Sequence, residues 1–131
     1  MPAGDGFTLG KEERVAGRTL VESLFKGGGS RSMSYYPLRV VYRLVDRQQA
    51  PVRILVSVPK RSLKRAVWRN RVKRQVREAY RLQKHLLDAV MEGLPDKTLA
   101  LSFIWHDDKI PPSREVAHRV RRLLIRIGES L

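Results

Sequence analysis

From Tyr36 to Val45 the chain alternates. Leu38, Val40, Tyr42 and Leu44 take one side and Arg39, Val41, Arg43 and Val45 the other, which is the two-residue period of a strand. Val52, Ile54, Val56 and Val58 repeat the pattern after a polar turn over 46–51, and Pro59 ends it because proline lacks the N–H that a ladder requires. So short a connection predicts that the two strands pair as a hairpin. A third strand is expected from Thr98 to Trp105, with apolar residues on both faces and hence burial on both sides. Helical periods fill the rest. Val15, Ala16, Leu20, Leu24 and Phe25 recur at helical spacing from Lys11 to Lys26, weakened at Gly17 and stopped by Gly27, Gly28 and Gly29. A long helix is predicted from Ala66 to Val90, closed by Gly93, Leu94 and Pro95. A last helix, capped by Ser113, carries Val116, Ala117, Val120, Leu123, Leu124 and Ile127 as an apolar stripe and Arg119, Arg122 and Arg126 outside.

The resulting order is α-β-β-α-β-α, an α/β (α+β) fold in which helices lie on a mixed sheet as a small two-layer sandwich. Residues 1–10, with three glycines and a proline, read as a loose amino-terminal segment. The chain as a whole, 1–131, has the size of a single domain.

The long helix separates two kinds of residue. With Val72 at the origin and roughly 100° per residue, Trp68, Val72, Val76, Ala79, Leu86 and Leu87 gather on one side with Gln83 among them. Asn70, Lys73, Arg74, Arg77, Arg81 and Lys84 gather on the other. Trp68 is therefore expected in the core. From Pro59 to Lys84 there are eleven lysines and arginines against one acid, Glu78. An apolar stripe kept in register behind that charge means a rigid cationic face held by a core, which a disordered basic tail would not need.

Charge narrows the function. The formal net charge is +14 and the sequence pI about 11.1, a field that attracts nucleic acid or anionic lipid. No apolar run reaches the roughly 18 to 20 residues of a membrane span, and the start of the chain has no signal-peptide pattern, so a cytoplasmic protein with no membrane association is expected. The absence of cysteine excludes disulfides, thiolate nucleophiles and Cys-type zinc sites. His85, His106 and His118 fall in different elements, and no HExxH, nucleophile elbow or phosphate-binding glycine loop occurs. Asp107 and Asp108 are adjacent, but paired carboxylates on a loop are usually just solvated. A basic chain with no catalytic constellation points to binding. On its cationic arc, arginine forks grip phosphate oxygens and the Asn70 amide both donates and accepts. Phe25 and Tyr42 are of a kind that can stack on unpaired bases, but on the residues alone both are expected to be structural core.

Arg69-Asn70-Arg71-Val72-Lys73-Arg74, followed by Gln75-Val76-Arg77-Glu78-Ala79-Tyr80, resembles the signature of the bacterial ribonuclease P protein subunit. The strand end and basic connection Val56-Ser57-Val58-Pro59-Lys60-Arg61 fit the same pattern, as do Leu24-Phe25-Lys26-Gly27 and Val40-Val41-Tyr42. The resemblance implies an α/β sandwich with a left-handed β-α-β crossover, where the general rule favours the right-handed form. It also implies a protein that binds a catalytic RNA and precursor tRNA, while the RNA removes the 5′ leader by magnesium-dependent hydrolysis. Magnesium would be held through the RNA, with no catalytic or metal-ligating residue in this chain and no obligatory protein partner. Lys60, Arg61, Arg69, Asn70, Arg71, Lys73, Arg74 and Arg77 would contact the catalytic RNA, and Val21, Phe25 and Tyr42 would line a cleft for the leader. Other readings remain open: a structural RNA-binding protein of ribosomal or chaperone type using the same helix, or a DNA-binding regulator.

Overall fold

In the computed structural model, residues 29–131 are described; the expected first helix from Lys11 to Lys26, with Val21 and Phe25, lies outside them. The described chain runs β1 (Arg31–Tyr35), β2 (Leu38–Asp46), β3 (Val52–Ser57), α1 (Ala66–Gln83), a 3-10 turn (Lys84–Leu87), α2 (Asp88–Glu92), β4 (Lys97–Trp105) and α3 (Ser113–Ser130). The strands form one mixed sheet in the order β1-β2-β4-β3.

The sheet corrects the expected hairpin. β2 pairs antiparallel with β4, from Leu38 opposite Trp105 to Asp46 opposite Lys97. β3 pairs with β4 in parallel, Val52 opposite Leu99 and Ser57 opposite Ile104. The central strand of the three is therefore β4, whose residues from Thr98 to Phe103 are buried without a break, and a strand apolar on both faces belongs inside a sheet. Residues 46–51 do not reverse the chain beside β2 but carry it across the start of β4. The Arg47 N–H donates to Asp96 O at 3.0 Å and the Leu99 N–H to Pro51 O at 2.9 Å. The Thr98 hydroxyl closes the crossing, accepting from the Gln48 N–H at 2.8 Å and donating to Ala50 O at 2.8 Å.

A strand that the hydrophobic pattern did not reveal, β1, occupies the sheet edge, pairing antiparallel with β2 from Arg31 opposite Tyr42 to Tyr35 opposite Leu38. Its sequence Arg-Ser-Met-Ser-Tyr is mostly exposed, so polar residues sit where alternation would otherwise mark a strand. Tyr36 and Pro37 form the turn after it, and the strand expected to begin at Tyr36 begins at Leu38.

The expected helix from Ala66 to Val90 is likewise three pieces. Gln83 leaves the helical region at φ −122° and ψ 4°, and the chain tightens into the 3-10 turn before α2. The Gln83 side chain donates to Ala79 O at 3.1 Å and to Ala117 O at 2.9 Å, tying α1 to α3 and giving the one polar group on that arc its acceptors. The break lets Leu87 and Met91 both reach the interior.

One core joins the sheet to the helices. Val40, Tyr42, Ile54, Val56, Leu101, Phe103 and Trp105 meet Val72, Val76, Tyr80, Val120, Leu123 and Ile127 in one buried cluster. Each large apolar side chain so buried contributes about 1.5–3 kcal/mol, which is what fixes the orientation of α1.

Candidate nucleic-acid interface

The approach to α1 is built from its own backbone. The Ser62 and Leu63 N–H groups both donate to Pro59 O, at 3.0 and 3.3 Å, making a tight turn that puts Lys60 and Arg61 on the surface. Leu63, 3% exposed, anchors the turn in the core, and the Ser62 hydroxyl donates to Trp105 O at 3.4 Å. Arg65 begins the helix in an extended conformation, and its carbonyl accepts from the Trp68 and Arg69 N–H groups at 3.1 Å each. No side chain caps this end, and the first turn holds no acidic residue. Its open N–H groups and the positive end of the helix dipole therefore stand beside Lys64 and Arg65, which favours an anion.

Within α1 the basic residues divide. Arg69 turns back, donating to Leu63 O at 3.0 Å and Lys64 O at 2.7 Å. Asn70, Arg71 and Arg74 are exposed and, among the described residues, their side chains make no hydrogen bond or ion pair. Lys73 and Arg77 are half-buried on the same helix. Further along, Arg81 donates to Glu78 through Nε at 3.0 Å and pairs with it again through a second nitrogen. That hydrogen bond, reinforced by the guanidinium charge, outweighs slight desolvation and holds the Glu78 carboxyl below the usual glutamate range.

Trp68 departs from expectation. At 40% exposure it is not core, and its neighbour Val67 is 66% exposed. The helical phase from Val72 is right, but Val72 is the first buried residue of α1, and the turn before it lacks a covering element among the described residues. Val67, Trp68, Asn70, Arg71 and Arg74 together line an open depression of about 560 Å³, with the Arg65 guanidinium 5.0 Å over the Trp68 ring centre. Sequence reasoning found Asn70, Arg71 and Arg74 and missed Val67 and Trp68. The signal available was Val67, an apolar residue on the polar arc.

Tyr42 sits elsewhere, 3% exposed, its hydroxyl 3.0 Å from Ser130 Oγ, which in turn donates to Ile127 O at 2.8 Å. With Gly29, Arg31, Arg43, Ser130 and Leu131 it borders a second depression of about 250 Å³. Tyr42 thus belongs to the core and lines this depression as well. Among the described residues no three carboxylate, imidazole or thiolate groups gather as a metal site. No helix among them is long and apolar enough to cross a membrane.

The family model described as Ribonuclease P matches residues 9–100, most of the sheet and all of α1. The chain belongs to the ribonuclease P protein family. A ribonuclease P protein component from Porphyromonas gingivalis is 43% identical over 123 residues, covering 93% of this chain and 88% of that protein. Another, from Chlorobaculum tepidum, is 34% identical, covering 88% and 80%. The Staphylococcus aureus RNase P protein, solved at 2.0 Å, superposes with a TM-score of 0.65 over 91% of this chain and 97% of that one. At 18% identity that likeness shows a shared ribonuclease P protein fold.

Proposed function

We propose that this chain is the RNA-docking subunit of a ribonuclease P ribonucleoprotein, assisting endonucleolytic removal of the 5′ leader from precursor tRNA. The catalytic RNA lies against Lys60, Arg61 and the α1 residues Asn70, Arg71, Lys73, Arg74 and Arg77, with Arg69 fixing the approach. The leader passes the wall that Tyr42 borders, and Val21 and Phe25 complete the cleft from the segment before residue 29. The active site belongs to the RNA. Magnesium, required for the hydrolysis, would be held through the RNA.

One observation carries the reading: Asn70, Arg71 and Arg74 project from a core-anchored helix toward solvent with no protein partner among the described residues. Cations held in one array neutralise phosphates and release counterions without first losing side-chain hydrogen bonds within the protein. Neutralising RNA charge also lowers the metal concentration the RNA needs, and holding the leader positions the scissile bond.

The test is multiple-turnover cleavage of precursor tRNA by the RNA subunit at low magnesium, with and without the chain. Stimulation is expected. RNA binding without stimulation would leave a structural RNA-binding protein and remove this reading.

A further inference from the structure

We infer that Trp68 stacks on an unpaired base of the catalytic RNA, with Val67 beside it and Arg71 and Arg74 holding the flanking phosphates. The inference rests on the docking role proposed above and adds a base-contacting element to what is otherwise backbone neutralisation.

Indole is the largest apolar side chain, and leaving it 40% exposed beside a 66% exposed valine forgoes burial that the fold achieves elsewhere. Trp105, the other tryptophan, is 1% exposed. The depression that Trp68 borders, about 560 Å³, falls in the range of small-ligand pockets, roughly 300–1,000 Å³. Its lining combines an aromatic face, an aliphatic wall, an amide and two guanidinium groups. That set suits a nucleotide: the base on the ring, the ribose near the Asn70 amide, the phosphate on arginine. Arg65 over the indole adds another cation at the same place.

Charge selects among occupants. Eleven cations against one acid between Pro59 and Lys84 favour a polyanion over a protein surface. Within polyanions the aromatic face selects an unpaired base, since a base in a duplex is already stacked on both sides. The first turn of α1 is continuous with the Asn70, Arg71 and Arg74 face, which assigns the base to the same RNA.

The experiment uses the full chain, the in vitro transcribed RNA subunit and a fully paired RNA duplex. Exposed Trp68 is the tryptophan that acrylamide reaches, whereas Trp105 is shielded. Binding of the RNA subunit should abolish the acrylamide-accessible emission, and the duplex should leave it. Trp68→Ala should weaken binding of the RNA subunit about 5- to 150-fold with no change in the slope of log affinity against log salt. Trp68→Phe should stay within a few-fold of the parent. Unchanged affinity in Trp68→Ala, or persistent quenching in the complex, overturns the stacking while a flatter salt slope in the Arg71→Ala, Arg74→Ala double variant keeps the docking role. An unchanged slope in that double variant overturns the docking role itself. Equal protection by the duplex overturns the assignment to an unpaired base.

Discussion

The Arg69 guanidinium donates to the backbone carbonyl of Lys64 at 2.7 Å, and the same nitrogen reaches Leu63 O at 3.0 Å. Arg69 and Arg71, two residues apart in one motif, thus have different surroundings: one braces the chain entering α1, the other meets solvent. Arg69→Ala should cost about 1.5 kcal/mol of stability, the low end for bonds to a charged donor, and should disorder the Lys60 and Arg61 turn. Arg71→Ala should stay within about 0.5 kcal/mol of the parent. Urea unfolding of both variants checks this, and equal stability of the two would contradict the brace.

RNA affinity should respond in the opposite sense. The Arg71 and Arg74 side chains make no hydrogen bond or ion pair among the described residues, so replacing both by alanine removes phosphate contacts without removing side-chain bonds within the protein. The slope of log affinity against log salt should fall by about 1.4 to 1.8, the value for two phosphates on single-stranded or duplex nucleic acid. Filter binding across a salt series, with circular dichroism to verify the helix, measures it.

How much of this was legible in the sequence depends on whether a residue's fate is decided locally. The stripe Val116, Val120, Leu123, Leu124 and Ile127 is buried, with Ala117 half-buried beside it, and Val52, Ile54 and Val56 alternate as read, because a period of 3.6 or 2 is written in the residues themselves. Pairing is not local. The 46–51 connection looked like a hairpin turn, and only Thr98, about 50 positions later, supplies the hydroxyl that carries the chain across β4. Trp68 shows the same limit: its phase matches Val72, yet burial needs a partner overhead, and α1 begins before that partner does. Tyr80, 1% exposed, lies to the side of the expected stripe and is buried all the same. For the site, the identity of Arg69-Asn70-Arg71 was readable, whereas the inward turn of Arg69 required the geometry of the preceding loop.

Tyr42 separates a packing role from a leader-contacting role. Its ring is buried and its hydroxyl lies 3.0 Å from Ser130 Oγ at the edge of the second depression. Tyr42→Ala should destabilise the fold by about 3–5 kcal/mol, as for large aromatic truncations in cores. Tyr42→Phe keeps the packing and should cost only about 0.5–1.5 kcal/mol. If the leader passes this wall, Tyr42→Phe should weaken precursor tRNA more than mature tRNA when each is bound to the assembled ribonucleoprotein. Equal effects on the two RNAs would confine Tyr42 to packing.

Glu78 is the lone acid between Pro59 and Lys84, and its pairing with Arg81 makes both stability and RNA binding depend on its charge. The Arg81 hydrogen bond lowers the folded-state pKa of the carboxyl. The pair's contribution is therefore complete above the ordinary glutamate value, about 4.3, and fades as pH falls through the lower folded value. The Glu78 side chain is 53% exposed, so solvent screening limits the contribution to about 0.5 kcal/mol or less. Glu78→Gln should accordingly lose a few tenths of a kcal/mol at pH 7, and the difference should shrink toward zero at an acid pH where the Glu78 carboxyl is protonated in the folded protein too. RNA affinity should move the other way at neutral pH, because the substitution removes a negative charge from a surface that faces phosphate. The gain should be largest at low ionic strength and disappear as the screening length contracts to about 8 Å near physiological salt. Titration of RNA binding at two salt concentrations, beside urea unfolding at the two pH values, would contradict this account if Glu78→Gln bound more weakly at low salt.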